Sequence, residues 1–376
     1  MARLGDICEV LNGYAFKSEK YTSSGVRIIR IANVQKGYIE DTAPAFYPID
    51  TTDIEKYTLY EDDLLISLTG NVGRVALLKK EFLPAALNQR VACLRLKDSA
   101  QYDKSFLYCF LNSDYFENKC IQSAKGVAQK NMSIEWLKEY QIPNLSLVEQ
   151  KEIAAVLNKI SELISARTMQ LSKMDMFVKS RFIELFGDPV SNSMGLPTEP
   201  MTTVCTIIDG DRGKNYPKQD EFSDTGYCLF LNAKNVTATG FSFENRMFIT
   251  KEKDDALHNG KLERGDVVLT TRGTLGNLAF YDDSVPFENV RINSGMVILR
   301  MKKCVMTEVF FIEQFKLQLQ SIKRKIASGS AQPQLPISTM NEIRILLAPM
   351  ALQEQFAAFV EQTDKSKLCG NMEAAA

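Results

Sequence analysis

The sequence predicts an α+β protein: two tandem mixed α/β domains, related as a pseudo-two-fold repeat and separated by one long coiled-coil helix. The first observation is the repeat itself, because Asp63, Gly70 and Gly73 recur 203 residues later as Asp266, Gly273 and Gly276. The second is an apolar pattern in steps of four and three residues that begins at 153 and ends at 185. Duplicated globular units joined by a helix suggest a protein that contacts two places at once.

Length supports this division, since 376 residues suffice for two cores of ordinary domain size. The predicted segments are a first domain at 1–145, the long helix at 146–189, a second domain at 190–349, and a truncated second helix with a tail at 350–376.

Each domain is predicted to hold short strands and one amphipathic helix. Alternating or wholly apolar runs at 27–31, 64–68, 75–78 and 91–96 read as strands in the first domain, and Phe106 to Leu111 repeats at helical spacing. The second domain repeats this order with strands at 229–231, 267–269 and 296–299 and a helix from about Val309 to Lys325.

The helix between the domains carries a narrow apolar stripe, typical of a coiled-coil seam. Gly187 and Pro189 end it, and roughly 40 residues give a rod of about 60 Å. Such a seam needs a partner, although a helix lying on one domain's core is the alternative. The predicted seam residues are Ile153, Leu157, Ile160, Ile164, Leu171, Met174, Val178 and Leu185.

A second helix begins in the same way at Leu352 and Gln353, but the pattern predicts an early stop after Val360, because Thr363 and Lys367 occupy the next seam positions. Much of the first seam would then stay uncovered. An exposed apolar stripe predicts self-association through that helix or dependence on a partner chain.

Composition narrows the function classes. The net charge of −1 argues against a general nucleic-acid coat, so any DNA affinity must be local. We expect a soluble cytoplasmic protein without membrane partners, because apolar runs are short and the eight cysteines read as reduced core residues. No cysteine pair has metal-site spacing, and we expect neither a metal nor a cofactor.

The chain resembles the specificity subunits of type I restriction-modification systems. The resemblance covers nearly the whole chain and rests on Leu4-Gly5-Asp6-Ile7, Gly13-Tyr14-Ala15-Phe16-Lys17-Ser18, the two Gly-x-x-Gly loops, the helix start Gln150-Lys151-Glu152-Ile153 and the helix end at 182–189. It implies that each repeat is a target recognition domain that reads one half of a split double-stranded DNA site. It further implies that the helices dock methyltransferase subunits, through which restriction subunits join the complex.

Half-sites one turn of DNA apart lie about 34 Å from each other, within reach of such a rod. The two repeats differ at most positions, which predicts a bipartite and asymmetric site.

Three sets of polar loop residues are candidates for DNA contact, because amide and guanidinium groups read adenine and guanine edges or anchor phosphates. Glycine hairpins and solvated loops are the structural alternatives, and they stay open. The first set is Asn71, Arg74, Arg272 and Asn277; the second is Asn88, Gln89, Arg90, Arg291 and Asn293; the third is Lys125, Gln129, Lys130, Gln332 and Gln334.

Catalysis by this chain alone has little support. The one histidine, His258, has no companion for a triad, and no adenine-methyltransferase, dinucleotide or P-loop motif is present. The competing functions are a coiled-coil scaffold without DNA readout and a stand-alone enzyme acting on DNA. The duplicated polar loops favour a non-catalytic DNA specificity subunit over both.

Overall fold

The computed structural model describes residues 1–49, 52–97, 102–124, 130–302, 305–327 and 334–373. The chain forms two compact units, residues 1–167 (unit 1) and 168–376 (unit 2), and the long helix contributes residues to each. None of the described helices is both long enough and apolar enough to span a bilayer.

Unit 1 mixes short strands with short helices, as the sequence predicts. Its strands are β1 (Ala2–Arg3), β2 (Cys8–Asn12), β3 (Val26–Ile29), β4 (Phe46–Tyr47), β5 (Thr58–Leu59), β6 (Leu64–Ser67), β7 (Val75–Leu77), β8 (Ala85–Leu87), β9 (Val91–Leu96) and β10 (Gln141–Ile142). Its helices are α1 (Leu4–Ile7), α2 (Lys104–Leu111), α3 (Asp114–Ser123), α4 (Ile134–Glu139) and the first part of α5 (Leu147–Phe186).

Two sheets build the core of unit 1. One is antiparallel with the order β2-β9-β6-β7, and the other has the order β4-β3-β8-β5 with β3 and β8 parallel. Leu64 and Ile66 of β6 pack towards the helices, whereas Leu65 faces the second sheet. Because both faces of β6 are covered, the strand is apolar at successive positions rather than alternating.

Unit 2 repeats most of these elements in the same order, with additional elements before its central strand. Its strands are β11 (Thr198–Pro200), β12 (Cys205–Asp209), β13 (Cys228–Leu231), β14 (Val236–Thr237), β15 (Gly240–Phe241), β16 (Phe248–Ile249), β17 (Asp266–Thr270), β18 (Leu278–Tyr281), β19 (Val290–Ile292), β20 (Met296–Met301) and β21 (Arg344–Leu346). Its helices are α6 (Met201–Val204), α7 (Lys251–Ala256), α8 (Glu308–Ala327), α9 (Ile337–Asn341) and α10 (Met350–Glu373), besides the end of α5.

Sheet topology establishes the repeat. The antiparallel sheet β12-β20-β17-β18 has the order of β2-β9-β6-β7, and β13 pairs in parallel with β19 as β3 does with β8. The predicted α+β fold with two tandem mixed domains is therefore confirmed.

An ion pair between a partly exposed arginine and a buried aspartate occupies the same place in both units. Arg95 donates through Nε and Nη2 to Asp63 at 2.8 and 2.7 Å, and Arg300 donates likewise to Asp266 at 2.9 and 2.8 Å. Hydrogen bonding to these carboxylates raises the pKa of both arginines. Each aspartate also accepts a backbone N–H three residues before it, so the pair fixes the turn that enters the central strand.

A buried glutamine repeats in the same manner near the start of each long helix. Gln150 accepts from the N–H of Asp103 and donates to the carbonyl of Leu145, both at 2.8 Å. Gln353 makes the same two bonds to Thr307 and Ala348, again at 2.8 Å. These side chains tie each helix to its own unit, which explains why the sequence repeats glutamine here.

Helix α5 follows the predicted bounds, and its last turns lie in the core of unit 2. The rings of Phe182 and Phe186 are fully buried against Phe310 and Phe356, with centroids 4.7 to 5.6 Å apart. Val178 is buried with them. The alternative of a helix on a domain core thus describes this end of α5.

The first half of the seam is different. Ile153, Leu157 and Ile160 are 39%, 43% and 47% exposed, and Ile164 is also exposed. Leu171, Met174 and Leu185 are partly buried. The apolar stripe therefore faces solvent where α5 belongs to unit 1.

The expectation that the second helix stops after Val360 is wrong, because α10 continues to Glu373. The polar residues that end the apolar pattern do not end the helix. Ion pairs between Glu361 and Lys365 and between Asp364 and Lys367, four and three residues apart, stabilise this part instead.

Candidate nucleic-acid interface

Three loops that are distant in sequence meet at one edge of unit 1. The loop after β6 is joined to the others through backbone hydrogen bonds: Leu68 N–H donates to Arg90 O at 3.0 Å, Gly70 N–H to Lys130 O at 2.9 Å, and Met132 N–H to Leu68 O at 2.9 Å. The edge therefore gathers the three predicted polar sets into one surface, at least for the residues that are described.

Unit 2 brings the corresponding loops together with the same bonding. Thr271 N–H donates to Gly295 O at 2.9 Å, Arg272 N–H to the same oxygen at 3.2 Å, and Leu335 N–H to Thr271 O at 3.1 Å. We call these two surfaces the loop edges: residues 69–74, 88–90 and 130–132 in unit 1, and 271–277, 293–295 and 334–335 in unit 2.

The Gly-x-x-Gly loops form hairpins, which was the structural alternative to a DNA contact for their glycines. In unit 1 Ser67 Oγ donates to Asn71 O and accepts from Arg74 N–H; in unit 2 Thr270 Oγ1 donates to Thr274 O and accepts from Asn277 N–H. All four glycines have positive φ, between 71° and 86°. The glycines thus set the backbone, and the side chains beside them are left for other contacts.

Those neighbouring side chains divide into two groups. Asn71 and Arg272 are exposed. Arg74 is half-buried and donates to Gln35 Oε1, while Asn277 donates through Nδ2 to Val236 O at 2.9 Å. The first two are available to a ligand, whereas the second two also hold the loop against its neighbour.

The second predicted set divides similarly. Asn88 and Asn293 each cap their own turn, accepting the N–H two residues later at 3.3 and 2.9 Å. Gln89 and Arg90 are exposed at the loop edge of unit 1.

The expectation of a DNA contact at Arg291 is wrong. This residue lies within β19 rather than in the loop after it, and it is 4% exposed. Its guanidinium donates to the carboxylate of Asp254 and to the carbonyl oxygens of Asp254, Leu257 and Asn259. A side chain bonded on all sides within the protein has a structural role.

Of the third set, Lys130 and Gln334 are exposed at the loop edges. Lys125, Gln129 and Gln332 lie outside the described residues.

The loop after the first strand of each antiparallel sheet also reaches these edges, and the candidate sets omitted it. Gly13 and Gly210 leave no room for a Cβ because the backbones of Asn88 and Asn293 lie directly against them. Gln89 N–H donates to Tyr14 O at 2.9 Å, and Arg212 reaches Ser294 O at 3.3 Å. The recurrence of glycine after the first strand in both repeats was the available signal.

Comparison with known proteins identifies the family. The model of the type I restriction modification DNA specificity domain matches residues 1–173 and 201–369. The EcoAI specificity subunit of Escherichia coli is 38% identical over 168 residues, which is 43% of this chain and 28% of that protein. The chain thus spans under a third of this relative.

A putative type I specificity subunit of Methanocaldococcus jannaschii, MjaX, is 28% identical over 96% of this chain and 85% of its own length. The crystal structure of the type I S subunit from M. genitalium superposes with a TM-score of 0.55 at 18% identity, covering 100% of this chain and 91% of that one, which supports the fold. With both repeats matched, the chain belongs to the family of type I restriction-modification DNA specificity subunits.

Proposed function

We propose that each unit reads its own half of a bipartite, asymmetric DNA site through its loop edge. The observation that carries this proposal is the double convergence: the same three loops meet through equivalent backbone bonds in both units, while the exposed side chains differ. A shared scaffold with unlike side chains is suited to reading two different sequences.

The exposed groups have the chemistry of DNA readout. Unit 1 presents Asn71, Gln89, Arg90 and Lys130, and unit 2 presents Arg272 and Gln334. Amides pair with adenine and arginines with guanine, while lysine contacts phosphate. Arg90, Lys130 and Arg272 put positive charge locally at the loop edges, although the whole chain has a net charge of −1.

This function predicts a division of the DNA site between the units. Replacing residues 1–145 with the equivalent part of a relative changes one half of the methylated sequence and leaves the other unchanged. Methylome sequencing of cells that express the chain with its methyltransferase subunit measures this. A change in both halves together contradicts separate reading.

Single loop variants sharpen the test. Arg90→Ala in unit 1 weakens binding by roughly 1–3 kcal/mol if the side chain reads a base. Arg3→Ala is the matched control, since Arg3 is an exposed arginine of β1 in the same unit and pairs with Glu139 of α4. Equal affinities for the two variants return Arg90 to the solvated-loop alternative.

The chain itself is proposed to be non-catalytic, with methyl transfer and cleavage supplied by methyltransferase and restriction subunits. We place the methyltransferase contact on the exposed stripe of α5, where Ile153, Val156, Leu157, Ile160 and Leu163 are 39% to 60% exposed. A stripe of this width is typical of packing against further helices rather than of exposure to water.

Ile160→Glu tests the docking, with Ser161→Glu as the control on the adjacent exposed position. Only the first is expected to abolish co-purification with the methyltransferase subunit. A second copy of this chain is the competing occupant of the stripe, and light scattering on the isolated chain tests for it. Dimers of the wild type that become monomers in Ile160→Glu would identify a second copy. A scaffold without DNA readout is identified by equal affinity for all sequences, and a stand-alone enzyme by activity without partner subunits.

A further inference from the structure

Arg212 of unit 2 lies at the loop edge in a fixed orientation. Its Nη2 donates to Asp209 Oδ1 at 3.1 Å and to Ser294 O at 3.3 Å, and it lies 3.0 Å from Asp209 Oδ2. Asp209 is the last residue of β12, so a regular strand supports the carboxylate that holds the arginine. Half of the Arg212 side chain remains exposed, at 50%.

The same turn positions a second arginine. Arg272 N–H donates to Gly295 O, the residue after Ser294, and the Arg272 side chain is exposed. Two arginines 60 residues apart in sequence therefore border the turn at 293–295. The second arginine was predicted from the sequence, and the first was not.

Among its described residues, unit 1 has no counterpart of the Asp209–Arg212 pair. Asp209 pairs with Val297 across the sheet as Asn12 pairs with Ala92, which places Ala15 where unit 2 has Arg212. Asn12 Oδ1 accepts from the N–H of Gly13 instead. The arginine–aspartate ion pairs at the start of the central strands, the buried glutamines and the loop hydroxyls occur in both units. The Asp209–Arg212 pair is described in unit 2 alone, so the shared fold does not require it.

We propose that Arg212, oriented by Asp209 and Ser294, reads a guanine in the half-site of unit 2. This rests on the proposed function and assigns it a specificity-determining residue. Within the described part of the chain, hydrogen bonds engage only Nη2, which leaves Nη1 to donate to O6 or N7 of the guanine. A phosphate contact needs charge alone, whereas base reading also needs the fixed orientation that the carboxylate supplies.

The test uses the full chain with its methyltransferase subunit, after the methylome has given the motif and the 1–145 replacement has assigned its halves. Competition binding is measured for duplexes that carry one base-pair change each. Arg212→Ala is expected to reduce discrimination at one G·C pair of the unit 2 half by roughly 5- to 150-fold, with discrimination at the other pairs retained.

Arg212→Lys keeps the charge but loses the guanidinium that Asp209 and Ser294 orient, so it is expected to relax the same base pair while preserving the salt dependence. Asp209→Asn frees the arginine and is expected to relax that pair partly. Arg344→Ala is the matched control, because Arg344 is an exposed arginine of unit 2 bonded to Thr198 on the β11-β21 sheet.

Two outcomes overturn the inference. One is wild-type discrimination at every base pair in both Arg212 variants. The other is a uniform loss for all sequences with the salt slope lowered by about one, which identifies a phosphate contact. If Arg212→Ala fails to fold in urea titrations, the lysine variant decides. A wild-type complex without any motif preference refutes the proposed function instead.

Discussion

Replacing Arg291 with alanine should destabilise unit 2 strongly. The guanidinium is buried and bonds the Asp254 carboxylate together with three carbonyl oxygens, at 2.7 Å for Asn259, 2.8 Å for Asp254 and 3.1 Å for Leu257. The side chains of Arg291 and Asp254 are 5% and 1% exposed, so water does not replace the lost donors easily.

Removing one partner of a buried ion pair costs about 3–5 kcal/mol. For a unit of this size each kcal/mol lowers the melting temperature by roughly 2–4 °C, which predicts a fall of roughly 6–20 °C for the transition of unit 2. Urea unfolding of the full chain measures the free energy, and Arg324→Ala, at an exposed position of α8, is expected to change it by less than about 0.5 kcal/mol.

The double variant Asp254→Ala with Arg291→Ala should recover part of the loss, because the unpaired carboxylate is removed as well. Arg291→Ala with the stability of the wild type would refute the structural role. A loss of DNA affinity without any loss of stability would restore the original expectation of a DNA contact.

Three further predictions concern individual residues of the two units. Gly73→Ala should lower the free energy of unfolding by about 1 kcal/mol or more beyond the loss for Gly70→Ala, as measured by urea titration. Both glycines have positive φ, but a Cβ on Gly73 meets Cys120 Cβ at 2.6 Å, whereas a Cβ on Gly70 has its first neighbour at 3.7 Å. Equal losses for the two variants would contradict this. Acid should destabilise unit 2 through Asp254. Burial raises the pKa of Asp254, but hydrogen bonds from Lys261 and Arg291 outweigh burial and lower that pKa overall. The contribution of Asp254 to the free energy of unfolding is therefore complete above the unfolded pKa of about 4 and disappears as the pH falls through the folded pKa. The double variant should show a flatter stability profile in that window, and an unchanged profile would assign the acid sensitivity to other groups. At pH 8 alkylation should label Cys109 before Cys8, Cys120, Cys205 and Cys228, since burial raises the pKa of each of these four to about 12 whereas Cys109 is only partly buried; mass spectrometry of the native chain checks the order.

Periodicity and repetition were sufficient to predict the architecture. The four-and-three spacing gave the bounds of α5 closely, and the shared offset identified Asp63 with Asp266 and the paired glycine loops. These features are local in sequence or duplicated, so a single chain displays them. Apolar spacing does not predict the extension of α10 beyond Val360, because ion pairs along a polar helix stabilise it there.

Sequence reasoning was weaker at the loop edges, for a physical reason. Residues that recur in both repeats are those that the shared fold requires, so recurrence does not predict which side chains the loops present to a ligand. Asn88 and Asn293 recur because each caps a turn. Arg291 belongs to the same predicted polar set as Asn293, but two positions before Asn293 the chain is still inside a buried strand.

The residues that distinguish the units have the opposite property. The Asp209–Arg212 pair has no repeat in the described part of unit 1, and only the folded chain brings it to the turn at 293–295. A protein that reads two unlike half-sites with duplicated domains must keep the bonds that place the loops and vary the side chains that the loops present. Backbone hydrogen bonds place the loops in this chain, since the loops are joined through N–H and C=O groups that nearly every residue supplies. If the loop edges read DNA as proposed, substitutions at their exposed positions should change DNA preference at little cost to folding.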